Sequence, residues 1–468
     1  MRREFACGMV IGYAVLLLAG CMSGDDKKIA AASVRVEPET EQLQAEKQPQ
    51  LRTAIRDMAE AYDTILDHCT KEFIGGYPVD ESFLGWIQAA YGETVVERLA
   101  DEVMAEKQDS SVWYELTGSS IHVLWLLYCE DTGLEQYRLD NVYWKECAEA
   151  DRTVLDFSGD INFAEHWGTT EHMDAQPNGI YDCFSKALLT EMQSADICMI
   201  NNEFTYSTRG KPLEGKAYTF RADPKRVNLL GVLGADIVSV ANNHTYDYGE
   251  VALVDTLDVL DDAGMPYVGA GRDLKEAEKI VCFVANGRKI AITAATQIER
   301  SLNYTKEATE NSAGVLKTLN PDKYIEVIRE ARKNSDVVIA FVHWGTEHDS
   351  MYGMDQVELA DAFAEAGADV IIGGHTHCLQ GVSYRQGVPV IYSLGNFWFS
   401  GDTLDTGLSQ VVIEKDGSIR FRFLPCIQKN YRTSLVTDRK DKKRILNDMQ
   451  RLSDGVSIDE DGYITEKK

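Results

Sequence analysis

The chain has 468 residues, of which 44% are hydrophobic and 26% are charged, and its formal net charge is −28 at pH 7. These values exclude a disordered or fibrous chain and predict a globular protein of roughly two to three domains. The acidic excess repels nucleic-acid phosphates and anionic lipid, so nucleic acid is excluded as a partner. An anionic polymer substrate is also repelled unless a metal site and a local basic patch offset the charge.

Residues 1–21 have the pattern of a lipoprotein signal peptide. Two arginines precede an apolar run over residues 9–18, and Cys21 ends a small-residue cleavage box. The run is too short for a membrane-spanning helix. A plain secretory signal with a chance cysteine is the weaker alternative, because a polar, stalk-like segment follows over residues 22–50. We therefore expect lipid on Cys21 to anchor the protein at the extracytoplasmic face of the cell membrane.

Residues 51–150 are predicted to form a small helical domain. Apolar residues recur at helical spacing over residues 54–66 and again over residues 121–127. The segment contains no cluster of catalytic residue types. Packing is therefore its default role, with binding of a peptide or partner as the alternative.

Residues 151–402 alternate short apolar runs with helical segments such as 323–333 and 356–366. This alternation predicts an α/β domain with largely parallel strands. The remaining residues, 403–468, contain a predicted hairpin at 408–425, whose two runs are joined by a Lys-Asp-Gly turn, and end in a charged tail.

Five polar clusters in the α/β region each follow a short, strand-like apolar run. The clusters are Gly159-Asp160, Asn202-Glu203, Asn242-Asn243-His244, His343-Trp344-Gly345 and Gly374-His375-Thr376-His377. In parallel sheets, ligands gather at the carboxyl ends of strands. Carboxylate, carboxamide and imidazole groups are ligands of divalent metals. The pattern therefore predicts a metallohydrolase.

The individual residues differ in how strongly they indicate a metal. His375 and His377 carry the sharpest signal, because two imidazoles two residues apart on an extended loop point to the same side. An exposed polar turn is the weaker interpretation in a chain with 9 histidines. Taken singly, Asp160, Glu203 and His343 are ordinary polar residues, and only the ensemble makes them ligand candidates.

The cluster before residue 250 offers two functions. The carboxamide of Asn243 can complete a metal shell, and His244 beside it can act as a general acid or hold a phosphate group without being a ligand. The alternative is helix capping by Asn242 or Asp247. Both interpretations are compatible with each other.

Four further residues are candidates for binding the substrate. Lys216 and Arg221 form a rare basic point in an acidic chain and can hold an anionic group, although a surface salt bridge explains them equally well. Asn202, beside Glu203, and Asn396, after an apolar run, are expected to line the site.

The ordered clusters resemble those of the bacterial capsule-synthesis CapA family, the poly-γ-glutamate synthesis type, within the calcineurin-like metallophosphoesterases. The resemblance spans roughly residues 153–402. It is carried by Gly159-Asp160, Asn202-Glu203, residues 241–244 with 247–249, residues 343–347, residues 373–377 and residues 393–397. It implies an α/β fold of four layers, an α-β-β-α sandwich of mixed sheets, here preceded by the small helical domain.

The resemblance also implies a role for each site residue and a centre of two divalent metal ions. One ion is expected on Asp160 and His377, and the other on Asn243, His343 and His375. The bridging carboxylate of the superfamily corresponds to Glu203, and the histidine that assists the leaving group corresponds to His244. The ligand set contains no thiolate, so manganese, iron and zinc all remain open.

Two residues depart from the pattern of the family. Many members of the superfamily have a histidine two residues after the first aspartate, where this chain has Asn162, which predicts a weaker or differently filled first metal site. Thr376 stands where many relatives have proline, and this change has little bearing on the predicted metal site.

Three functions follow from these observations. The first is an anchored metallohydrolase that acts on a phosphoester or an amide-linked surface polymer such as poly-γ-glutamate. The second is a non-catalytic factor that binds the polymer or the membrane subunits of its synthase. The third is a carbohydrate- or peptidoglycan-binding lipoprotein that works through its helical domain.

Overall fold

The computed structural model describes residues 58–105, 108–134, 141–300 and 303–467. The predicted signal peptide, including Cys21, and the predicted stalk lie outside the described residues. Within the described ranges, no helix combines the length and the apolar character needed to cross a membrane.

The secondary structure is mixed throughout the α/β region. The helices are α1 (described over residues 58–68), α2 (Glu81–Tyr91), α3 (Glu93–Met104), α4 (Ser111–Thr117), α5 (Ile121–Thr132), α6 (Gly168–Asp174), α7 (Ile180–Cys183), α8 (Lys186–Ser194), α9 (Asn228–Val232), α10 (Glu250–Asp262), α11 (Leu274–Ala277), α12 (Asp322–Lys333), α13 (Met354–Ala366) and α14 (Arg439–Leu452), with a 3₁₀ turn at Pro224–Val227.

The strands are β1 (Val142–Lys145), β2 (Arg152–Ile161), β3 (Ile197–Asn202), β4 (Thr205–Tyr206), β5 (Arg221–Ala222), β6 (Ile237–Ser239), β7 (Tyr267–Val268), β8 (Ala270–Gly271), β9 (Val281–Ala285), β10 (Arg288–Thr296), β11 (Gly314–Val315), β12 (Val337–His343), β13 (Val370–Gly374), β14 (Val382–Arg385), β15 (Val388–Ile391), β16 (Asn396–Trp398), β17 (Leu404–Glu414), β18 (Ile419–Lys429), β19 (Arg432–Leu435), β20 (Val456–Ile458) and β21 (Tyr463–Glu466).

Two mixed sheets form the centre of the fold. The seven-stranded sheet has the order β1-β9-β10-β12-β13-β15-β14, and the ten-stranded sheet has the order β20-β21-β18-β17-β2-β3-β6-β7, with β16 on β2 and β19 on β18. The strands that carry the polar clusters are parallel neighbours, namely β2, β3 and β6 in one sheet and β12 and β13 in the other. Their carboxyl ends therefore meet at one edge of each sheet.

The two sheets pack face to face and helices cover their outer faces. β12 is buried at every one of its 7 positions, as expected for a strand covered on both faces. Phe157 and Ile197 from one sheet share an apolar core with Ile339 from the other. Helices α8 and α10 pack on the ten-stranded sheet, and α12 and α13 pack on the seven-stranded sheet. The four-layer α-β-β-α sandwich of mixed sheets is therefore confirmed.

Helices α1–α5 form the predicted helical region around a core of their own. Aromatic rings fill this core, for example Tyr77 stacked on Trp125 with ring centroids 5.1 Å apart. The region ends against the seven-stranded sheet, where Ser120 Oγ donates a hydrogen bond of 2.6 Å to Asp336. Residues 142–145, assigned from the sequence to the helical segment, instead form β1 and pair with β9.

The predicted C-terminal hairpin is present and longer than expected. Gly417 adopts a positive φ of 86° at the turn between β17 and β18, a conformation that glycine adopts without strain. β17 pairs with β2 over residues 408–414, and α14 packs Ile445 and Met449 into the core between the sheets. Residues 403–468 are therefore an integral part of the α/β sandwich, and the structure does not separate them from residues 151–402.

Candidate metal centre

The predicted clusters meet where the carboxyl ends of the strands of the two sheets come together. Asp160 of β2 pairs with Asn201 of β3, and His343 of β12 pairs with Gly374 of β13. Gly374 allows the sheets to approach here, because a Cβ on it would lie 3.1 Å from Asp160 Oδ1. Residues 242–244 follow β6 and complete the group.

The imidazole of His343 lies at the centre of one set of ligand atoms. Its Nε2 is 2.8 Å from Asn243 Oδ1, 3.1 Å from His375 Nδ1 and 3.5 Å from Glu203 Oε1. The ligand atoms of Glu203, His343 and His375 all lie within 4.8 Å of one another, and all three residues are buried. Such a group can hold one metal ion.

Asp160 and His377 lie beside this set. Asp160 Oδ1 accepts a hydrogen bond of 2.7 Å from Asn201 Nδ2, whereas Asp160 Oδ2 is 3.8 Å from His377 Nδ1. Among the described residues, neither Asp160 Oδ2 nor Glu203 Oε1 has a hydrogen-bond partner, although both atoms are buried. Burying unpaired carboxylate oxygens is costly, and a bound cation removes that cost. The residues present therefore fit a metal.

The pKa values of the cluster follow from its burial. Burial, and then the negative charge of Asp160, raises the pKa of Glu203 well above its usual range. Burial also raises the pKa of Asp160, although the nearby His377 opposes this. Burial and then the neighbouring histidines lower the pKa values of His343 and His375. Neutral imidazoles are the form that binds metal, and a cation would restore the charge of the carboxylates.

His244 is held at the edge of the cluster by a carboxylate. Its Nδ1 lies 2.7 Å from Asp247 Oδ2, and its Nε2 lies 3.9 Å from Glu203 Oε1. Asp247 also accepts hydrogen bonds of 2.6 Å from the ammonium of Lys216 and from the backbone N–H of Phe220. The ring is therefore fixed in orientation, and it faces a cavity of about 390 Å³ beside the cluster.

The six predicted ligands and His244 are brought together, but the predicted substrate residues divide into two pairs. Asn396 lines the cavity, and its Oδ1 lies 2.7 Å from His377 Nδ1. Lys216 also lines the cavity, but its side chain is only 6% exposed and its ammonium is paired with Asp247. The charge of Lys216 is thus neutralised inside the protein.

Asn202 and Arg221 do not reach the cavity. Side chains alternate along a strand, so Asn202 points to the opposite side from Glu203, and its Nδ2 donates to the backbone oxygen of Phe204 at 2.9 Å. The guanidinium of Arg221 lies over the ring of Tyr248, 4.1 Å from its centroid. Neither side chain therefore lines the cavity, and a role for Asn202 or Arg221 in binding the substrate stays a prediction.

Sequence reasoning missed two residues that orient the cluster. Asn201 donates to Asp160 and lies 3.4 Å from His343 Nδ1, and the alternation along β3 would have placed it on the same side as Glu203. Asp247 was weighed only as a helix cap, whereas its carboxylate contacts His244. No local pattern in the sequence predicts the contact between Asp247 and His244.

The two departures from the family pattern close local turns. Asn162 Oδ1 accepts a hydrogen bond of 2.7 Å from the backbone N–H of Ala164. Thr376 Oγ1 donates to the backbone oxygen of Cys378 at 2.8 Å. His375 and His377 on either side of Thr376 have positive φ values of 97° and 59°. Non-glycine residues in this region of backbone space are strained, and such strain clusters at functional sites.

The family comparison agrees with this arrangement of residues. Residues 154–400 match the family model described as bacterial capsule synthesis protein PGA_cap. The PGA biosynthesis protein CapA of Bacillus subtilis (strain 168) is 32% identical over 269 residues, which are 56% of this chain and 70% of the relative.

Two further relatives are matched over a smaller share of their length. The capsule biosynthesis protein CapA of Bacillus anthracis is 32% identical over 49% of this chain and 57% of its own. A probable polyglutamine synthesis accessory protein of Mycobacterium tuberculosis is 27% identical over 44% of this chain and 56% of its own.

Among solved structures, a 5'-nucleotidase from Candida albicans SC5314 is similar with a TM-score of 0.32 and 11% identity, covering 57% of this chain and 48% of that one. The family match alone includes more than half of the 468 residues. The chain therefore belongs to the bacterial capsule synthesis family PGA_cap.

Proposed function

We propose that the protein is a metal-dependent hydrolase that cleaves a phosphoester or amide bond in the metabolism of a capsule or similar surface polymer. One observation carries the proposal, namely that the ligand atoms of Glu203, His343 and His375 lie within 4.8 Å of one another in the buried interior. A scaffold protein has no physical need for such a group, because three buried polar side chains without a cation lower stability.

We further propose that the centre holds two divalent ions. Asn243, His343 and His375 would hold one, Asp160 and His377 the other, and Glu203 would contact both. Two such ions activate a water molecule and stabilise negative charge on the reacting group. Two unpartnered oxygens support a bound cation here, one on Asp160 in the aspartate half and one on the shared carboxylate of Glu203.

His244 would act on the leaving group. Its Nδ1 is engaged by Asp247, so Nε2 is the nitrogen that can hold a proton toward the cavity. A proton delivered from Nε2 would neutralise the oxygen or nitrogen that departs. Asp247 keeps the ring in that orientation and is a positioning residue.

The names of the relatives suggest which surface polymer is involved. Two of them are named for capsule or PGA biosynthesis and a third for accessory action in polyglutamine synthesis. We propose that this protein acts beside the membrane subunits of a polymer synthase, anchored to the extracytoplasmic face of the cell membrane by lipid on Cys21. Mass spectrometry of the protein from the membrane fraction tests the anchor, because it should detect acyl chains on Cys21 in the wild type and none in Cys21→Ser. An unacylated Cys21 in the wild type would contradict the anchor.

A non-catalytic accessory role is the second candidate, and the word "accessory" in the third relative's name favours it. Metal analysis of the purified full chain, followed by assays on bis(4-nitrophenyl) phosphate and on γ-glutamyl-4-nitroanilide, separates the two functions. The variants are His375→Ala and, as a matched control, His68→Ala, which removes an exposed imidazole from the helical region.

The hydrolase predicts bound metal and turnover in the wild type and in His68→Ala, with both reduced in His375→Ala. A protein that contains no metal after growth with manganese, iron and zinc would contradict the proposal. Equal turnover by the wild type and His375→Ala would contradict it as well. Bound metal without turnover of either substrate class would favour the accessory role.

A further inference from the structure

The cavity beside the metal centre has an aromatic wall made of Trp167, Tyr218, Phe220 and Phe399. The ring centroid of Trp167 lies 4.9 Å from that of Phe220 and 6.2 Å from that of Tyr218, and Phe220 lies 5.4 Å from Phe399. Trp167 Nε1 donates a hydrogen bond of 2.6 Å to the backbone oxygen of Phe399, which fixes the indole. The wall is therefore one packed surface.

The aromatic wall begins at the metal centre. The ring of Phe220 lies 4.4 Å from that of His244, and the ring of Phe399 lies 5.0 Å from that of His377. At the other end, Tyr218 is 62% exposed and reaches the solvent. A molecule whose reacting group lies at the metal centre would therefore extend along this wall.

Three carboxylates, Glu299, Glu347 and Asp402, also line the cavity. Lys216, the one lysine among the described residues that line the cavity, is paired with Asp247 at 2.6 Å and with Glu299 at 3.4 Å. The cavity away from the metal centre is therefore acidic. A glutamate polymer carries a carboxylate on every residue and would be repelled there, whereas a neutral group with several donors would pair with the carboxylates.

We propose that this cavity binds the ring of a hexopyranose, so that the substrate is a sugar ester whose anionic group faces the metal centre. The C–H faces of such a ring pack on aromatic side chains, and its hydroxyl groups donate hydrogen bonds to carboxylates. The volume of about 390 Å³ lies at the lower end of the range for small-molecule sites, which suits a single small ring substituent. The inference rests on the proposed hydrolase and specifies its substrate class.

Binding of two phosphate monoesters tests the inference. Glucose 1-phosphate and glycerol 3-phosphate carry the same charge, but only the first has a ring. Saturation-transfer NMR and tryptophan fluorescence with the zinc-loaded full chain should give tighter binding of glucose 1-phosphate. Trp167→Ala should weaken its binding about five- to tenfold and leave glycerol 3-phosphate unchanged. Trp144→Ala is the control, because this tryptophan is 52% exposed on β1 and lies outside the lining of the cavity.

Three results would overturn the inference. Equal affinity for the two phosphates, or no effect of Trp167→Ala, means that the wall does not bind a sugar ring. Tighter binding of adenosine 5'-monophosphate than of glucose 1-phosphate, with the same dependence on Trp167, means that a nucleobase occupies the cavity.

A separate measurement keeps the inference distinct from the hydrolase proposal. Methyl α-D-glucopyranoside has no anionic group, and its saturation-transfer signal is measured on protein freed of metal with EDTA. A signal that depends on Trp167 supports the sugar cavity even if no phosphate is released from any ester, in which case only the hydrolase proposal fails. Release of phosphate from an ester without a saturation-transfer signal from the sugar ring would overturn the sugar cavity and leave the hydrolase proposal standing.

Discussion

The two halves of the candidate metal centre are built differently. In the histidine half, made of Asn243, His343 and His375, neighbouring ligand atoms lie 2.8 and 3.1 Å apart. In the aspartate half, made of Asp160 and His377, the Oδ2 atom of Asp160 lies 3.8 Å from Nδ1 of His377. The histidine half is therefore the more tightly preorganised of the two.

The topology explains the difference. His343 ends β12 and His375 follows β13 by one residue, and these two strands are hydrogen-bonded neighbours. Asp160 lies on β2 in the other sheet, whereas His377 lies on the loop after β13. Two of the three residues of the histidine half are therefore fixed by one sheet, and Asn243 joins them from the end of β6 in the other sheet. The aspartate half has no such pair, so its geometry depends entirely on how the two sheets pack. We therefore expect the histidine half to bind metal more tightly.

Removing the carboxylate shared by the two halves should have the largest effect. Loss of an outer partner of a metal ligand costs about 10–100-fold in affinity, so loss of a direct ligand should cost at least about 10²-fold in each half. For Glu203→Gln we expect the metal affinity of each half to fall by about 10²-fold. Turnover needs both ions, so it should fall by up to about 10⁴-fold when metal is limiting. Metal analysis and initial rates at fixed manganese concentration measure both quantities.

Glu171→Gln is the matched control, because Glu171 is an exposed carboxylate on α6. It should leave metal content and rate unchanged. If Glu203→Gln emptied only one half, Glu203 would not be shared, and the centre would consist of two independent sites.

Changing His244 should lower the rate without changing metal content. General acid catalysis contributes about 10²–10⁴-fold, so we expect turnover of His244→Ala to fall by that factor while both halves stay filled. The effect should be smaller for substrates with good leaving groups, which need no proton. Rates with 4-nitrophenyl and alkyl phosphoesters, combined with metal analysis, measure it.

His172→Ala controls for the loss of an imidazole away from the centre, since His172 lies on α6 and stacks on Tyr431. A His244→Ala variant that lost metal together with activity would make His244 a ligand and would change the composition of the histidine half.

Much of this centre was predictable from the sequence because short apolar strands end in polar clusters. The ends of parallel neighbouring strands must meet, so His343 and His375 were expected together, as were Asp160 and Glu203. The family order of the clusters then assigned each residue to a half. These residues lie together in the structure because strand order and strand length decide which strand ends meet, and their roles as metal ligands stay a prediction.

The sequence was least informative where side-chain direction or a distant partner decides which residues meet. Asn202 was chosen instead of Asn201, although the alternation along β3 determines which of them faces the centre. Lys216 was weighed equally as a substrate ligand and as part of a salt bridge, and the fold pairs it with Asp247, 31 residues away in the chain. Similarly, the sequence gives no sign that β17 would pair with β2, because that contact joins residues about 250 positions apart.

Filling of the two halves should be separable by titration. We expect manganese added to metal-free protein to bind in two steps whose Kd values differ by at least about tenfold, or about 1.4 kcal/mol. His375→Ala should weaken the tighter step by about 10²-fold in affinity, and His377→Ala should weaken the other step by the same factor. Isothermal titration calorimetry measures both steps. The reverse assignment, with His377→Ala removing the tighter step, would contradict the comparison of the two halves.

The smallest effect should come from the residue that orients His377. Asn396 Oδ1 lies 2.7 Å from His377 Nδ1, so this contact holds the ring of His377 in place beside Asp160. Asn396→Ala should weaken the second calorimetric step about tenfold and leave the first unchanged. Asn396→Asp keeps the acceptor and should retain the affinity, which separates this role from a general loss of packing. If both variants weakened the first step, Asn396 would also affect the histidine half. The conclusion that the two halves are held by different parts of the fold would then be wrong.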